Sequence, residues 1–337
     1  MTIKILATLG PSSLNRRTVE KMTEQGVNLF RINLSHTKLE DVEDIVTKIQ
    51  SWTDVPICLD SEGAQIRNQE MVSESVSFEQ GDTVTIHHKP VLGDNKNISF
   101  TPSNVTQQLQ VGDKIRVDFN SVCFTVTKKE KDYLMATVIE GGCVGSNKAA
   151  DTDGSILLDP VTPKDKEAFK IGLKLGVKDF SLSFTNSLND VKQLRKIIGY
   201  DVNLISKIES IKGVLNLGEI LPAVDQILID RGDLSREVDI EKIPFIQRRI
   251  IANAKSKNTP VYVATNLLES MVHYHVPTRA ELNDIASTLL MGADGLVLAA
   301  ETAIGKYPVK TVEMAHAVID QFNRWTPESS SEDIIFN

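Results

Sequence analysis

Eight short apolar runs rich in β-branched residues alternate along the chain with longer segments of helical periodicity. This order is typical of βα units that build a parallel sheet. An open doubly wound sheet also holds parallel strands, but eight successive units favour closure into an α/β fold of the (β/α)8 TIM-barrel type. The predicted strands are Lys4–Ala7, Leu29–Asn33, Pro56–Asp60, Asp179–Phe184, Asn203–Lys207, Gln226–Asp230, Pro260–Thr265 and Gly295–Ala300.

The segments between these strands carry helix signals. In Leu39–Trp52, apolar residues recur at spacings of three and four and so share one helix face. Thr278 and Glu281 have the spacing of a capping box, which predicts a helix start. A helix around Val309–Phe322 closes the series, and the acidic, serine-rich residues 327–337 have no clear fold signal.

The stretch Glu70–Lys148, between the third and fourth predicted strands, alternates polar and apolar residues without helical segments. Such alternation is typical of strands with one buried face. It predicts a small all-β, barrel-like domain, residues 70–148, inserted into a barrel made of residues 1–69 and 149–337. Because loops that follow barrel strands emerge at the carboxyl-end rim, we expect this domain to form a lid over an active site.

Composition narrows the classes of function. The net charge of −8 argues against a general nucleic-acid-binding protein, which needs a basic face. The cysteines Cys58, Cys123 and Cys143 lack the spacing of a zinc or redox site and suit a reducing compartment. The sequence contains no apolar run long enough to predict a membrane span. The apolar stretch near the first residue is too short for a signal peptide. We therefore expect a cytoplasmic protein.

Polar residues follow the predicted strands at their carboxyl ends, where active sites of this fold lie. Lys207 and Glu209 are two residues apart on one strand, so both side chains point to the barrel axis. Asp233 follows the next strand. Two carboxylates, with substrate oxygens and water, suit a hard divalent cation such as Mg²⁺ or Mn²⁺. A buried Lys207–Glu209 pair that only closes the barrel mouth is the alternative, although a surplus buried carboxylate favours the cation.

Three further residues have the chemistry of an anion site. Arg31 ends the second strand, where a guanidinium can clamp a phosphate, and a salt bridge to Asp60 is the alternative. Gly232 permits close approach of backbone, so amides here are able to bind a carboxylate or phosphate. Thr265 is placed to add a hydroxyl group. The chain lacks a Walker-type loop, so a nucleotide would be held by the barrel rim and lid.

A set of oxygen-bearing side chains without soft ligands follows the second and third strands. It suits either an alkali cation or a hydrogen-bond network, and the sequence leaves both open. The set consists of Asn33, Ser35, Asp60 and Ser61.

Eight segments of the chain together resemble pyruvate kinase, in order and with similar spacing, over nearly the whole sequence. They are KILATLGPSS, LFRINLSH, CLDSEGAQIR, LISKIES, LIDRGDLSRE, VATNLLESM, PTRAELNDIA and AAETAIGKYP. The resemblance implies transfer of a phosphoryl group from phosphoenolpyruvate to ADP, with Mg²⁺ and usually K⁺, leaving an enolate that is then protonated.

The resemblance also implies roles for individual residues. Lys207 would stabilise the transferring phosphoryl group and the enolate, and Glu209 and Asp233 would hold Mg²⁺. Arg31 would contact the phosphoryl group, while the amides of Gly232 and Asp233, with Thr265, would bind the substrate carboxylate. K⁺ would be coordinated by Asn33, Ser35, Asp60 and Ser61, and the nucleotide would lie near His36, Arg67 and Asn33.

Several positions depart from the family pattern. The usual Asp-Thr-Lys-Gly-Pro-Glu-Ile-Arg is replaced by the segment from Asp60 to Arg67, in which Glu62 stands for the lysine and Gln65 for the glutamate. Ala299 and Ala300 replace Ser-Gly, which removes a hydroxyl that resembles part of the proton path to the enolate. Ser235 replaces a glycine, and 184–187 lacks the two cations of Phe-Ile-Arg-Lys. No counterpart of the C-terminal effector domain is seen, so we expect no control through it.

These features leave three readings of function. The first is pyruvate kinase activity or a close variant. The second is a relative that keeps metal-stabilised enolate chemistry with another phosphoryl acceptor or as an aldolase-like lyase, which Glu62, Ala299 and Ala300 favour. The third is a non-catalytic protein that binds phosphoenolpyruvate. Because members of the family commonly associate through the barrel, we also expect a homodimer.

Overall fold

The structure is a computed structural model that describes residues 3–118, 121–154 and 156–336. It divides into two compact units, one formed by Met1–Gly63 with Pro160–Asn337 and the other by Ala64–Asp159. The two units are therefore divided after residues 63 and 159, whereas the sequence prediction placed the divisions after 69 and 148. The reason is that residues 66–68 and 149–152 pair with strands of the small unit.

The large unit is a closed (β/α)8 barrel, as predicted. In the described residues its eight strands are all parallel and follow chain order around the barrel. They are β1 Lys4–Leu9, β2 Leu29–Asn33, β3 Ile57–Asp60, β13 Asp179–Leu182, β14 Asn203–Ile208, β15 Gln226–Asp230, β16 Val261–Ala264 and β17 Gly295–Leu298.

Three barrel strands end earlier than predicted. The strand predicted as Gly295–Ala300 ends at Leu298, since α11 begins at Ala300, and two others end for a backbone reason. Phe184 and Thr265 have positive φ angles of 50° and 75°, which are incompatible with an extended strand. β13 and β16 therefore stop at Leu182 and Ala264.

Helices surround the barrel on the outside of the strands. The α-helices of this unit are α1 Arg16–Glu24, α2 Val42–Trp52, α4 Pro163–Lys174, α5 Leu188–Ile198, α6 Ile211–Leu215, α7 Leu217–Ile220, α8 Arg231–Leu234, α9 Ile243–Ser256, α10 Arg279–Leu290, α11 Ala300–Ala303, α12 Pro308–Arg324 and α13 Ser331–Phe336. Short 3-10 helices cover Leu34–His36, Leu39–Asp41, Leu221–Ala223, Ile240–Lys242 and Glu269–Val272.

The structure confirms one of the predicted helix starts and corrects another. The capping box at Thr278 and Glu281 is confirmed, because each residue's side chain accepts a hydrogen bond from the backbone of the other. The predicted start at Leu39 is wrong, since Leu39–Asp41 forms a 3-10 turn before α2 begins. The helix α13 was not predicted, because its apolar residues are too few to show a periodic pattern.

An apolar cluster fills the interior of the barrel. Its members come from seven strands and are buried, and we call them the inner layer: Leu6, Leu29, Cys58, Ile205, Leu228, Tyr262, Ala264 and Val297. A larger apolar cluster packs the outer faces of the strands against the helices. Strands of a parallel barrel are buried on both faces, which explains their nearly continuous apolar sequences.

Gly295 makes room within the inner layer. A β-carbon at this position would lie 2.6 Å from the Lys4 carbonyl oxygen and 2.8 Å from Tyr262 Cδ1. We predict that Gly295→Ala lowers the unfolding free energy by about 1–3 kcal/mol through overpacking. Gly218→Ala, at an exposed position of α7 with open space around it, is the control and should be neutral or gain up to about 1 kcal/mol.

Urea unfolding followed by tryptophan fluorescence measures both variants. Both tryptophans, Trp52 and Trp325, belong to the large unit, so the signal reports the barrel. Equal stabilities of the two variants would contradict the tight contact at Gly295.

The small unit is a second closed barrel, as its alternating sequence predicts. The strand order in its described residues is β10-β6-β7-β4-β12-β8-β9, with β5 and β11 paired separately. The elements are β4 Ile66–Asn68, β5 Val76–Phe78, β6 Thr83–His87, β7 Asn97–Thr101, α3 Val105–Gln108, β8 Lys114–Val117, β9 Val122–Lys129, β10 Tyr133–Glu140, β11 Gly142–Val144 and β12 Ala149–Thr152. The single-turn helix α3 corrects the expectation of a segment without helix. Its role as a lid stays a prediction.

None of the helices in the described ranges combines the length and the apolar character that crossing a membrane requires.

Candidate active site

The polar residues of the large barrel lie one step beyond its inner layer, toward the carboxyl ends of the strands. Side chains alternate across a strand, so a residue two positions further on points the same way. The residues that follow Leu6, Leu29, Cys58, Ile205 and Leu228 by two positions are Thr8, Arg31, Asp60, Lys207 and Asp230. All five are buried, and they form a polar layer at the barrel mouth.

Lys207 is the centre of this polar layer. Its Nζ atom lies 2.8 Å from Glu209 Oε1 and 3.4 Å from Asp60 Oδ2. It lies 3.9 Å from Asp230 Oδ2 and donates to Ser183 Oγ at 3.3 Å. Burial by itself lowers the pKa of Lys207, but the carboxylates of Asp60 and Glu209 outweigh burial and the net pKa is raised. The lysine therefore remains a positive charge inside the barrel.

Arg31 forms the salt bridge that the sequence offered as the alternative to a phosphate contact. Its Nε atom donates to Asp60 Oδ2 at 2.7 Å, and a terminal nitrogen donates to Thr8 Oγ1 at 3.1 Å. Asp60 also accepts from Ser181 Oγ at 2.5 Å. Burial by itself raises the pKa of Asp60. The positive charges of Arg31 and Lys207 lower it by more, so the net pKa is below its usual range. Asp60 is thus the shared counter-ion of two buried cations.

Three carboxylates gather beside Lys207. Glu209, Asp230 and Asp233 each offer one oxygen within 4.8 Å of the others. Glu209 Oε2 accepts from the backbone nitrogen of Phe184 at 2.6 Å, whereas the buried Oε1 has no hydrogen-bond partner in the described residues and only the ion pair with Lys207.

Burial raises the pKa of Glu209 to about 8; Lys207 opposes this shift, and the neighbouring carboxylates of Asp233 and Asp230 add to it. Burial and Asp230 likewise raise the pKa of Asp233, although Arg236 lies 3.2 Å from its Oδ1 atom. Both carboxylates are thus held in surroundings short of positive charge. A divalent cation would supply that charge, and three carboxylate oxygens with a buried, incompletely bonded acceptor are chemistry that fits Mg²⁺ or Mn²⁺.

Thr265 and Gly232 pack against each other beside these carboxylates. Thr265 Oγ1 donates to Asp230 Oδ1 at 2.6 Å. A β-carbon on Gly232 would lie 2.8 Å from Thr265 Cγ2, so glycine is needed for the close approach of α8 to this threonine. Arg231 fixes the arrangement, because it donates to the Thr265 carbonyl oxygen at 3.1 Å and pairs with Asp284 at 2.7 Å.

Comparison with known proteins shows the family to which the chain belongs. The family model for the pyruvate kinase barrel domain matches residues 1–312. The chain belongs to the pyruvate kinase family. It is 34% identical to a pyruvate kinase of Thermotoga maritima over 94% of the chain and 70% of that relative, and 34% identical to one of Mycobacterium tuberculosis over 94% and 69%. It is 34% identical to plastidial pyruvate kinase 3, chloroplastic, of Arabidopsis thaliana, and spans 57% of that protein's length.

Three of the four residues that the pyruvate kinase resemblance assigns to K⁺, Asn33, Asp60 and Ser61, accept hydrogen bonds through side-chain oxygens. Asn33 Oδ1 accepts from the backbone nitrogen of Ser35 at 3.0 Å, and Ser61 Oγ accepts from that of Ser183 at 2.8 Å. Asp60 is bound to Arg31, as described above. These hydrogen bonds are compatible with the network alternative, and K⁺ binding at these residues stays a prediction.

The residues that the resemblance assigns to the nucleotide lie in different parts of the chain. Exposed His36 ends the 3-10 helix after β2. Arg67 lies on β4 of the small unit, where it donates to the Asn147 carbonyl oxygen at 2.9 Å and to Gln65 Oε1 at 2.8 Å. Gln65 thus positions Arg67, and nucleotide binding by these residues stays a prediction.

Glu62 and Ala299, which differ from the pyruvate kinase pattern, have defined surroundings. Glu62 Oε2 lies 3.6 Å from Lys164 Nζ, and its backbone nitrogen donates to Asp165 Oδ1 at 2.8 Å. The backbone nitrogen of Ala299 donates to Glu301 Oε2 at 2.8 Å. The first change places an acid beside a lysine, and the second leaves a methyl group where the family has a hydroxyl.

Two residues of the site were missed in the sequence. Asp230 was included in a predicted strand but not among the metal ligands, although it is two positions after buried Leu228, a spacing that would have pointed it inward. Ser183, which accepts from Lys207, was included in the predicted strand Asp179–Phe184, where a single serine gives no sign of a role in the site.

Proposed function

We propose that the protein transfers the phosphoryl group of phosphoenolpyruvate to ADP, giving pyruvate and ATP, as its family relatives' name indicates. The observation that carries the proposal is Lys207 Nζ at 2.8 Å from Glu209 Oε1, beside a surplus of carboxylates that suits a divalent cation. A buried lysine next to a cation site is suited to anionic oxygens whose charge grows in the transition state.

The reaction breaks the bond between phosphorus and the enol oxygen of phosphoenolpyruvate and forms one from phosphorus to a β-phosphate oxygen of ADP. The electron pair of the broken bond stays on the enol oxygen, and the resulting enolate takes a proton at its methylene carbon to become pyruvate. When bound, a divalent cation supplies positive charge for the phosphoryl and enolate oxygens. Glu209 and Asp233 would hold it.

The chain's own groups position the substrate in this proposal. Lys207 holds a proton on Nζ and offers its charge to the bridging oxygen as that oxygen becomes anionic. Arg31, buried and oriented by Asp60, contacts the phosphoryl group. The backbone amides of Gly232 and Asp233 and the hydroxyl of Thr265 bind the carboxylate. Because Thr265 donates to Asp230 in the structure, its hydroxyl would have to turn to reach the substrate.

Further binding roles follow the family pattern in this proposal. Asn33, Ser35, Asp60 and Ser61 coordinate K⁺, and His36, Arg67 and Asn33 contact the nucleotide. We further propose a cytoplasmic homodimer associated through the barrel, with no nucleic-acid or membrane partner.

A second candidate is an enzyme that forms the same enolate with another acceptor, either as a phosphotransferase or as an aldolase-like lyase. Glu62 favours it, because a carboxylate paired with Lys164 stands where the family carries a lysine. Ala299 favours it as well, since an alanine cannot relay a proton to the enolate.

Pyruvate formation from phosphoenolpyruvate tests the proposal. We expect turnover that requires ADP and Mg²⁺ and that stops when the metal is chelated, measured with and without K⁺. Binding of phosphoenolpyruvate and of ADP is measured separately by calorimetry in Mg²⁺. Folded, metal-loaded protein that binds phosphoenolpyruvate but neither binds ADP nor forms pyruvate would reject the kinase and favour the second candidate.

A further inference from the structure

Asp230 is placed by strand register beside the two carboxylates assigned to the metal. β14 and β15 are parallel, with Lys207 opposite Leu228 and Ile208 opposite Ile229. One residue further along both strands, Glu209 comes beside Asp230. Both side chains point to the barrel axis, because each lies two positions beyond an inward-facing residue.

The contacts of Asp230 hold it in that position. Thr265 donates to Oδ1 at 2.6 Å, and Lys207 Nζ lies 3.9 Å from Oδ2. The residue is 8% exposed, so it is nearly removed from water. Three buried or half-buried carboxylates next to one lysine are costly unless further positive charge is present.

A separate observation indicates that a ligand belongs among these three groups. Glu209 Oε1 is buried, and its contact with Lys207 Nζ at 2.8 Å is an ion pair without hydrogen-bond geometry, so it accepts no hydrogen bond from the described residues; it belongs to the carboxylate group that includes Asp230 and Asp233. A buried acceptor without a hydrogen bond is unusual, since nearly all such atoms are satisfied. A hard cation that takes oxygen ligands completes it.

We propose that Asp230 is a third carboxylate of the divalent-cation site, which strengthens binding of the cation before substrate arrives. The inference rests on the proposed function for the site itself. A Mg²⁺ site with one or two carboxylates relies on substrate oxygens for part of its binding. A third carboxylate supplies part of the Mg²⁺ binding from the protein itself, so that less of it depends on substrate oxygens.

The alternative role for Asp230 is to position Thr265 alone. The substitution Asp230→Asn separates the two roles, because asparagine keeps the carbonyl oxygen that accepts from Thr265 and loses the charge. Asp230→Ala is the second variant and removes both.

Asp179→Asn is the matched control. Asp179 is also 8% exposed and lies on a barrel strand, but it stands at the amino end of β13, where Asn203 donates to it at 2.9 Å. Glu209→Gln is the reference variant for loss of a proposed ligand.

The experiment is titration of the substrate-free protein with Mn²⁺, followed by electron paramagnetic resonance of the free ion. We expect Asp230→Asn to weaken Mn²⁺ binding by at least roughly 10- to 100-fold, the loss already found for groups that only orient metal ligands. Asp179→Asn should bind as the wild type does, and circular dichroism confirms that each variant is folded.

Each result decides the inference without an activity assay. Wild-type affinity in Asp230→Asn and Asp230→Ala, with loss in Glu209→Gln, would overturn the role of Asp230 and leave the proposed function standing. Wild-type protein that binds no Mn²⁺ without substrate would also overturn it. Loss in Asp230→Asn together with no pyruvate formation would support the metal site while rejecting the kinase.

Discussion

Lys207→Met is expected to reduce pyruvate formation by about 10³- to 10⁵-fold, the range found when a cation that stabilises phosphoryl transfer is removed. Methionine fills much of the volume of the lysine stem but offers no charge to the enol oxygen. Because the lysine would act mainly on the transition state, turnover should fall far more than substrate binding. Steady-state kinetics with phosphoenolpyruvate, ADP and Mg²⁺ measure the change.

Lys255→Met is the matched control for loss of a lysine paired with a carboxylate. Lys255 lies 3.1 Å from Asp294, which precedes β17 at the opposite end of the barrel, and we expect near wild-type turnover. Equal loss in both variants would point to damaged folding. Full activity in Lys207→Met would reject a role for this lysine in the chemistry.

Asp60→Asn is expected to lower the unfolding free energy of the large barrel by about 3–5 kcal/mol, because it leaves the buried Arg31 without its counter-ion and removes one of the carboxylates beside Lys207. The side chains of Arg31 and Lys207 are only 7% and 6% exposed, so water cannot solvate these two cations in place of the lost carboxylate. Asparagine has nearly the shape of aspartate, and the loss therefore reports charge rather than volume. Tryptophan fluorescence during urea unfolding gives the free energy.

Asp225→Asn provides the comparison at a wetter site. Asp225 pairs with Arg195 at 2.6 Å and is 44% exposed; the buried Arg195 also donates to the Gly199 and Val202 carbonyl oxygens, so we expect a smaller loss of about 1–2 kcal/mol. A similar small loss in Asp60→Asn would mean that Lys207 and Arg31 find other partners. Such a result would contradict the role of Asp60 as their counter-ion.

Local sequence patterns predicted most of the architecture. Apolar runs separated by helical segments predicted the eight strands of the large barrel, and alternation of apolar and polar residues predicted the strands of the small one. Lys207 and Glu209 were placed together by their spacing on one strand, and the structure separates their side-chain atoms by 2.8 Å.

The remaining features depend on contacts between distant residues. The pairing of Arg31 with Asp60, 29 residues apart, was one of two open alternatives, and only the geometry decides between them. The limits of the small unit were missed because β4 and β12 are defined by the strands with which they pair. Arg67 of β4 pairs with Ala149 of β12, which is 80 or more residues away in the sequence. Positive φ angles at Phe184 and Thr265 also lie outside what composition indicates.

The inner layer closes the large barrel on one side. Buried side chains separate the polar layer from the amino ends of the strands, among them Leu6, Ile205, Leu228 and Tyr262, so the polar layer is open only toward the carboxyl ends. In the proposed function, the cation, the substrates and the products would therefore reach and leave the polar layer at the carboxyl ends of the strands. A product that stayed bound there would delay the next cycle, so its release would affect the overall rate.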